Sequence, residues 1–418
     1  MEKQAQYYLA GIEELIPYAR NARTHSDKQI AQIAASIKEF GFLSPVVISK
    51  DNTILCGHGR FYAAQKLGLN KIPCIKEEYL TEAQKKAYII ADNKLSLNAG
   101  WDNGLLAIEI DELKGQDFDI GLLGFDEKEL SEIFDEQSTA KEDDFDVEEE
   151  LQKPCFSKLG DIWHLGKHTL ICGDSTNSET YRILLNGTKV NLVCTDAPYF
   201  VNLKNKSGSI TNDNLSDKEA YEFLVKVFTN FKESMSIDAS FYEFYATIKS
   251  RVFYDAFEDA GFKVGAGLIW KKPRAPFMRT DWKFNMEPII WGWRKDGKHI
   301  WYGDQKQTSV FEFEGIKDSK NAGFGHPSSK PVPLIAYLIK QCTQSNGLVL
   351  DGFLGSASTL IACEQIDRVC YGIEIEPKFI DVAVKRYISY KNNEEENVYV
   401  IREGKKIMYA ELVKEIVA

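Results

Sequence analysis

The stretch NGLVLDGFLGSAST, from Asn346 to Thr359, decides how this chain is read. An apolar run, Leu348 to Leu350, stops at Asp351 and breaks into a turn rich in glycine and serine. VCYGIEIEPKFIDVAVKRY, beginning at Val369, has the same design: an apolar run ends in Glu374 and enters a helical stretch. Upstream, HTLICGD ends at Asp174, and VNLVCTDAPYF reaches Asp196. Strands buried on both faces read as such continuous apolar runs, and their alternation with helical stretches makes a parallel sheet. The sequence therefore predicts a doubly wound, Rossmann-like α/β sheet. Ligands of these sheets lie at the carboxyl ends of the strands, where all four runs place an acid.

The turn after Leu350 holds Gly352, Gly355 and Ser356, so a ligand can approach the backbone there. Glu374 follows Asp351 at about the twenty-residue interval at which an acid accepts hydrogen bonds from a ribose. A nucleoside-containing cofactor is implied. The GxGxxG of dinucleotide sites is absent, and an acidic residue opens the turn. Such a turn repels a pyrophosphate but suits a sulfonium, so S-adenosylmethionine fits better than a nicotinamide dinucleotide.

Asp196-Ala197-Pro198-Tyr199 suggests the acceptor. Exocyclic amines of nucleobases are poor nucleophiles because the nitrogen lone pair is delocalised into the ring. A carboxylate and a backbone carbonyl that accept both N–H groups draw the nitrogen toward tetrahedral geometry, and the Tyr199 ring offers a face for a base taken out of the duplex. The alternative is a strand that simply ends in an Asp-Ala-Pro turn.

Composition sets the frame. The chain has 418 residues, 44% hydrophobic and 27% charged, which predicts two or three domains. There is no apolar run long enough to cross a bilayer and no signal-peptide profile at the start, so a cytoplasmic protein without membrane contact is expected. Eight scattered cysteines without a CxxC pair suggest buried thiols, and no metal is expected. The net charge of −11 is uneven: residues 1–150 hold 16 Lys+Arg against 29 Asp+Glu, net −13, leaving 35 against 33 for the rest. Much of that acid lies at 135–154, which reads as a solvated linker.

The front unit opens with an amphipathic helix carrying Ile30, Ile33, Ile37 and Phe40, closed by Gly41. Short strands follow, then the turn Gly57-His58-Gly59-Arg60 at a helix start. Backbone N–H groups and a fixed cation there could hold a phosphate, unless the glycines only permit a tight turn. Within the second unit, an insertion at about 200–324 interleaves Lys271, Lys272, Arg274, Arg279 and Lys283 with Trp270, Phe277, Trp282 and Phe284. Cations bind phosphates and aromatics stack on unpaired bases, so this composition suits a DNA surface. Trp291, Trp293 and Trp301 are expected to pack in a core.

NARTHS, SIKEFGF followed by PVVI, and ILCGHGRFYAAQKLG followed by KIPCI together resemble the ParB-like N-terminal domain of the ParB/sulfiredoxin superfamily, over roughly residues 8–80. That resemblance implies a small α+β domain with a nucleotide phosphate at Gly57, His58, Gly59 and Arg60. His58 and Gly59 stand where that motif usually has an acidic-then-basic pair, so a pocket kept for fold or DNA contact is the alternative. CGDS, TDAPY, HPSSKPVPLI, DGFLGSAST and GIEIEPKFIDVA occur in the order of a permuted, β-class amino-group DNA methyltransferase, which residues from about 155 to 393 resemble. The resemblance implies that Asp351, Phe353, Gly355 and Ser356 line the S-adenosylmethionine pocket, that Glu374 holds the ribose, that Asp174 lies near the adenine and that Lys330-Pro331 borders the methionine end. Asp196, rather than serine, implies adenine N6 over cytosine N4. Ala197 and Gly352 replace usual prolines, and Ala357 a usual glycine. The expectation is a ParB-like domain with a helical tail (1–134), an acidic linker (135–154) and a methyltransferase domain (155–418) acting on double-stranded DNA, with a homodimer compatible. A partition or adaptor protein with an impaired methylase is the competing class, and an enzyme that methylates cytosine N4 or RNA is a further alternative.

Overall fold

The computed structural model describes residues 6–98, 100–135, 140–202, 204–205, 208–209, 212–272, 281–304, 306–313 and 330–417. The chain divides into two compact units, 1–137 and 138–418.

The front unit is a four-stranded sheet in the order β1 (Gln6–Gly11), β4 (Lys71–Glu77), β2 (Val46–Ser49), β3 (Ile54–Cys56). Its core joins Val46, Ile48, Ile54, Phe61 and Ile72. α1 (Asp27–Phe40) begins where the Ser26 hydroxyl accepts the Gln29 N–H and ends at Gly41, whose φ of 81° no L-residue adopts comfortably. Of its expected stripe, Ile30, Ile33 and Ile37 are half-buried, while Phe40 stays exposed and stacks on Phe118. α2 (His58–Lys66) leaves the glycine turn through Gly57, at φ 94°. α3 (Glu82–Ser96) starts in a capping box between Thr81 and Gln84, and α4 (Asn103–Gly115) packs on α5 (Glu127–Asp135) around Ala107, Ile110 and Ile133.

The acidic stretch does not run free through solvent. Its second half, with α6 (Val147–Leu151), belongs to the second unit and lies along it. Ala140 is buried in that unit's core, Lys141 exchanges two hydrogen bonds with Gln365, and Glu142 accepts the Val332 N–H at 2.7 Å. Asp143 pairs with Arg386 at 2.8 Å, and Glu150 takes Lys385 and Lys153. Composition suggests a spacer because carboxylates are usually solvated; here two of them, Asp143 and Glu150, are matched to cations on the helix beneath, Pro377–Tyr390.

Among the described residues, the second unit is built on an eleven-stranded sheet. β5 (Ile162–Leu165) and β6 (His168–Cys172) form a hairpin; α7 (Ser178–Leu185) leads to β7 (Val190–Thr195). A small hairpin, β8 (Lys204–Asn205) with β9 (Gly208–Ser209), precedes α8 (Asp217–Ser234), β10 (Met235–Phe244) and α9 (Ser250–Asp259). β11 (Phe262–Lys271), β12 (Met286–Arg294) and β13 (Val310–Glu312) come from the insertion. Then follow α10 (Val332–Cys342), β14 (Leu348–Asp351), α11 (Ser358–Gln365), β15 (Val369–Glu374), α12 (Pro377–Tyr390), β16 (Val398–Arg402), β17 (Lys405–Met408) and α13 (Tyr409–Val417). The sheet runs β13-β11-β12-β10-β7-β14-β15-β6-β5-β16-β17, with β10, β7, β14, β15 and β6 mutually parallel.

Helices cover both faces. On one, α8 buries Ala220, Leu224, Val227, Phe228 and Phe231, a stripe at helical spacing, against Val193, Phe241 and Leu350. On the other, Leu334, Ile335 and Leu338 of α10 and Leu360 and Ile361 of α11 meet Leu192, Cys194 and Val349. The chain leaves β7 toward β10 on one side and β14 toward β15 on the other, so the topological switch point falls between β7 and β14. No helix among the described residues is long and apolar enough to cross a membrane.

The docked acidic segment yields a test. Arg386 is 4% exposed and also donates to the Ser356 carbonyl. Asp143→Ala strands that guanidinium and should cost the second unit about 3 kcal/mol in urea unfolding. Asp144→Ala, at an exposed neighbour, should cost under about 0.5 kcal/mol.

Candidate functional site

The four acidic strand ends lie on contiguous parallel strands, β7, β14, β15 and β6. Leu350 pairs with Val193, Asp351 with Gly372, and Glu374 with Cys172, so the strand ends stand level. At the switch point the Thr195 hydroxyl donates to Asp351 Oδ1 at 2.7 Å and accepts the Gly352 N–H at 3.2 Å. Asp351 also accepts the Phe353 N–H and the Thr359 hydroxyl, the latter at 2.6 Å. Its carboxylate therefore shapes the loop from within. Burial pushes its pKa up, against the pull of these donors.

The loop has little slack. A side chain at Gly352 would meet the Phe231 ring at 2.5 Å, so bare Cα is needed for helix and loop to touch. Gly355 and Ala357 both hold positive φ, 49° and 67°. Ala357 thus takes the left-handed turn without glycine, and the Ser356 carbonyl is tied to Arg386. Phe353 stands half-buried beside Phe223. Glu374 Oε2 accepts the Gly355 N–H and Oε1 the Glu376 N–H, each at 2.9 Å. Burial raises its pKa to about 7. Asp174 is exposed and accepts the Thr176 N–H.

Asp196 projects from the end of β7. Oδ2 is paired with the Lys330 ammonium, whereas Oδ1 is buried without a hydrogen-bond partner. Burial pushes its carboxyl up, and Lys330 pulls it back. Lys330 is 5% exposed, lies over the rings of Tyr199 and Phe244, and reaches Glu287 Oε2 at 3.4 Å. Two carboxylates draw Lys330, expected at the methionine end of the cofactor, to the catalytic turn, because a buried ammonium needs counterions. The Tyr199 hydroxyl donates to Glu287 Oε2 at 3.2 Å, and Lys272 meets Glu287 Oε1 at 2.5 Å. Ala197 is buried, and its N–H donates to Glu243 Oε1 at 3.1 Å. Burial drives the Glu243 carboxyl well above the usual carboxylate range, against the pull of the Ala197 N–H. Burial would raise Glu287 too, but Lys330 and Lys272 hold it below the usual range.

The motifs in the sequence do not single out Glu243 or Glu287. Each sits in an apolar strand, SFYEFYA and MEPIIWGW, and an acid among aromatics is the available signal. The proposed DNA cations separate. Lys272 belongs to the buried cluster, and Lys271 pairs with Glu312 at 2.7 Å. Lys283 is exposed beside Trp282 and Phe284, while Trp270 is buried and donates to the Phe313 carbonyl, so it presents no free face. Arg274, Phe277 and Arg279 lie outside the described residues. Trp291 packs against Trp293 and Trp301, but the expected core is not formed: Trp291 and Trp293 are half-buried and Trp301 is exposed at the edge of the cluster.

At the front turn, His58 points inward. Its Nε2 accepts the Tyr18 N–H at 3.2 Å, a structural bond rather than a ligand contact. A side chain at Gly59 would meet the Ile33 Cδ1 methyl at 2.9 Å, so that Ile33 would have to shift to admit one. Arg60 lies over Gly57, with Nη2 3.7 Å from Cys56 Sγ and Nε buried without a partner.

Comparison with known proteins finds one family in each unit and a third across their boundary. Residues 2–93 match the ParB N-terminal domain, 104–159 a ParB-methyltransferase HTH domain, and 190–385 the N6/N4 DNA methylase family. The ParB-like nuclease domain-containing protein YnaK of Escherichia coli K12 is 43% identical over 86 residues, 21% of this chain and 99% of the relative. Type II methyltransferase M2.MboI of Moraxella bovis is 31% identical over 142 residues, 31% of this chain and about half, 52%, of the relative. Among solved structures, the M1.HpyAVI–SAM complex is 22% identical, covering 52% of this chain and 97% of that one, with a TM-score of 0.41. The chain belongs to the proteins that join a ParB N-terminal domain to an N6/N4 DNA methylase domain.

Proposed function

We propose that the chain transfers a methyl group from S-adenosylmethionine to the N6 amine of adenine in double-stranded DNA. One observation above all supports this reading: Asp196 Oδ1, a buried acceptor with no partner, stands at the switch point beside the loop opened by Asp351. The groups at the ends of β14 and β15 suit the cofactor. Both strands end in carboxylates, which favour a sulfonium over a pyrophosphate, and each Glu374 oxygen keeps a lone pair for a ribose hydroxyl after accepting one N–H. Bound there, the cofactor supplies a methyl already activated by its sulfur.

The chain's own residues would then do the following. Asp196 Oδ1 accepts one N–H of the target amine, and the Ala197 carbonyl the other, so that the nitrogen lone pair is aimed at the methyl. Alanine in place of proline retains that carbonyl, and the Glu243 carboxyl fixes the turn from the N–H side. The Tyr199 ring, steadied by Glu287, offers the stacking face. Asp196 at the first motif position favours adenine over cytosine. Lys283, Trp282 and Phe284 remain the described candidates for DNA contact. In the front unit, the unpartnered Arg60 Nε beside Gly57 supports an anion at that turn, which titration with a nucleoside triphosphate would test.

Asp196→Ala should reduce methyl transfer to a duplex at least about 10³-fold while changing cofactor affinity less than about twofold, measured with labelled S-adenosylmethionine; Glu287 still balances Lys330 in this variant. Digesting the product to nucleosides distinguishes N6-methyladenine from N4-methylcytosine. Cofactor affinity should also depend on pH. Glu374, raised to about 7, must be ionised to accept both ribose protons, so lowering the pH from 8 to 6 should weaken binding roughly tenfold. Glu374→Gln should flatten that dependence.

A further inference from the structure

The carboxylate at the catalytic turn is not alone in its pocket. Two acids and two lysines alternate there: Asp196 from the end of β7, Lys330 just before α10, Glu287 on β12 and Lys272 just after β11. Lys330 touches both acids, and Glu287 touches both lysines and the Tyr199 hydroxyl. The four formal charges sum to zero, which is how a cluster this buried stays ionised.

We propose that Glu287 is a positioning residue for methyl transfer, acting as a second seat for the Lys330 ammonium so that Asp196 can take the proton released by the methylated amine. This rests on the assignment of Asp196 made above. In that reaction the S–CH₃ bond breaks and the N–CH₃ bond forms. The sulfonium becomes a neutral thioether, and the amine nitrogen acquires the positive charge. One N–H proton then passes to Asp196, which becomes a neutral acid and no longer balances Lys330. Glu287 Oε2, 3.4 Å from the ammonium, can take over that role without Lys330 leaving its place above Tyr199 and Phe244. Lys272 anchors Glu287 from the other side, and the tyrosine hydroxyl fixes its rotamer. Asp196, with about a fifth of its side chain exposed, returns the proton to water once product leaves.

The charge arrangement gives the sign of the pH effect. Among the described residues, Lys330, Glu287 and Tyr199 act on Asp196, Lys272 lies beyond Glu287, and Glu243 from β10, raised by burial, feels both Asp196 and Asp351 of β14. Glu287 is the nearby acid that raises Asp196 and shares its cation. Without that charge Lys330 binds Asp196 undivided, so the carboxylate becomes a weaker proton acceptor and titrates at lower pH.

The test is single-turnover methylation of a duplex by the full chain, followed against pH, with cofactor affinity measured separately. Glu287→Gln should bind S-adenosylmethionine within about twofold of the parent, lose at least about tenfold in rate at pH 7.5, and move the acid limb of the profile down by roughly one pH unit. Glu287→Asp, which keeps the charge, should leave the limb where it is and recover most of the rate. An unchanged rate in Glu287→Gln overturns the inference, and so does a slowed reaction whose limb stays put, the mark of a merely structural role. If Glu287→Gln does not fold, a shifted limb in Glu287→Asp overturns it and an unshifted one supports it. Asp196→Ala run alongside separates the two levels: an active Asp196→Ala defeats the assignment of Asp196, whereas an inactive one with a normal Glu287→Gln defeats only the role of Glu287.

Discussion

The hydroxyl of Thr195 bridges two strand ends, and the site depends on that bridge. It donates to Asp351 and accepts from Gly352, joining the last residue of β7 to the loop that follows β14. A parallel sheet brings neighbouring carboxyl ends level without effort, but level ends still have to be held in register as the chain departs in opposite directions. A buried, charge-assisted hydrogen bond between a hydroxyl and a carboxylate is short and directional, which suits that task. The Asp351 oxygens then organise Phe353 and Thr359, and the same strand end that holds Asp196 is tied to the same carboxylate.

Legibility in the sequence follows burial. The four strands are readable because strands covered on both faces must be apolar throughout, so their polar residues appear only at the ends. Asp196, Asp351 and Glu374 are therefore visible as a set from the order of residues alone. Glu243 and Glu287 are not, because they interrupt strands whose apolar pattern belongs to the sheet's other half. Lys272 looks like a surface cation from its neighbours Lys271 and Arg274; only the fold shows that the chain turns it toward Glu287. Lys330 stands out as a motif residue, but its ion pairs with Asp196 and Glu287 do not, since spacing along the chain cannot say which carboxylates an ammonium will meet.

The front unit tells a similar story on a smaller scale. Gly57 and Gly59 read as a turn open to a ligand. The structure gives them separate duties, one conformational and one steric: Gly57 takes a left-handed φ, and Gly59 leaves room for Ile33. His58 between them turns into the fold, so the motif's polar content reduces to Arg60. Acidic composition misleads in the other direction, because a run of carboxylates looks solvated until the cations it meets are known.

Those cations decide where an autonomous catalytic fragment can begin. A fragment cut at the first strand, Ile162, or at the start of the family match, Val190, would discard the anion that neutralises Arg386 and the carboxylate that satisfies the first turn of α10. Both partners left behind sit one bond from the machinery, at the Ser356 carbonyl and at the backbone that follows Lys330. Any truncation meant to isolate the enzyme has to retain residues from Ala140 onward, well ahead of its first β-strand.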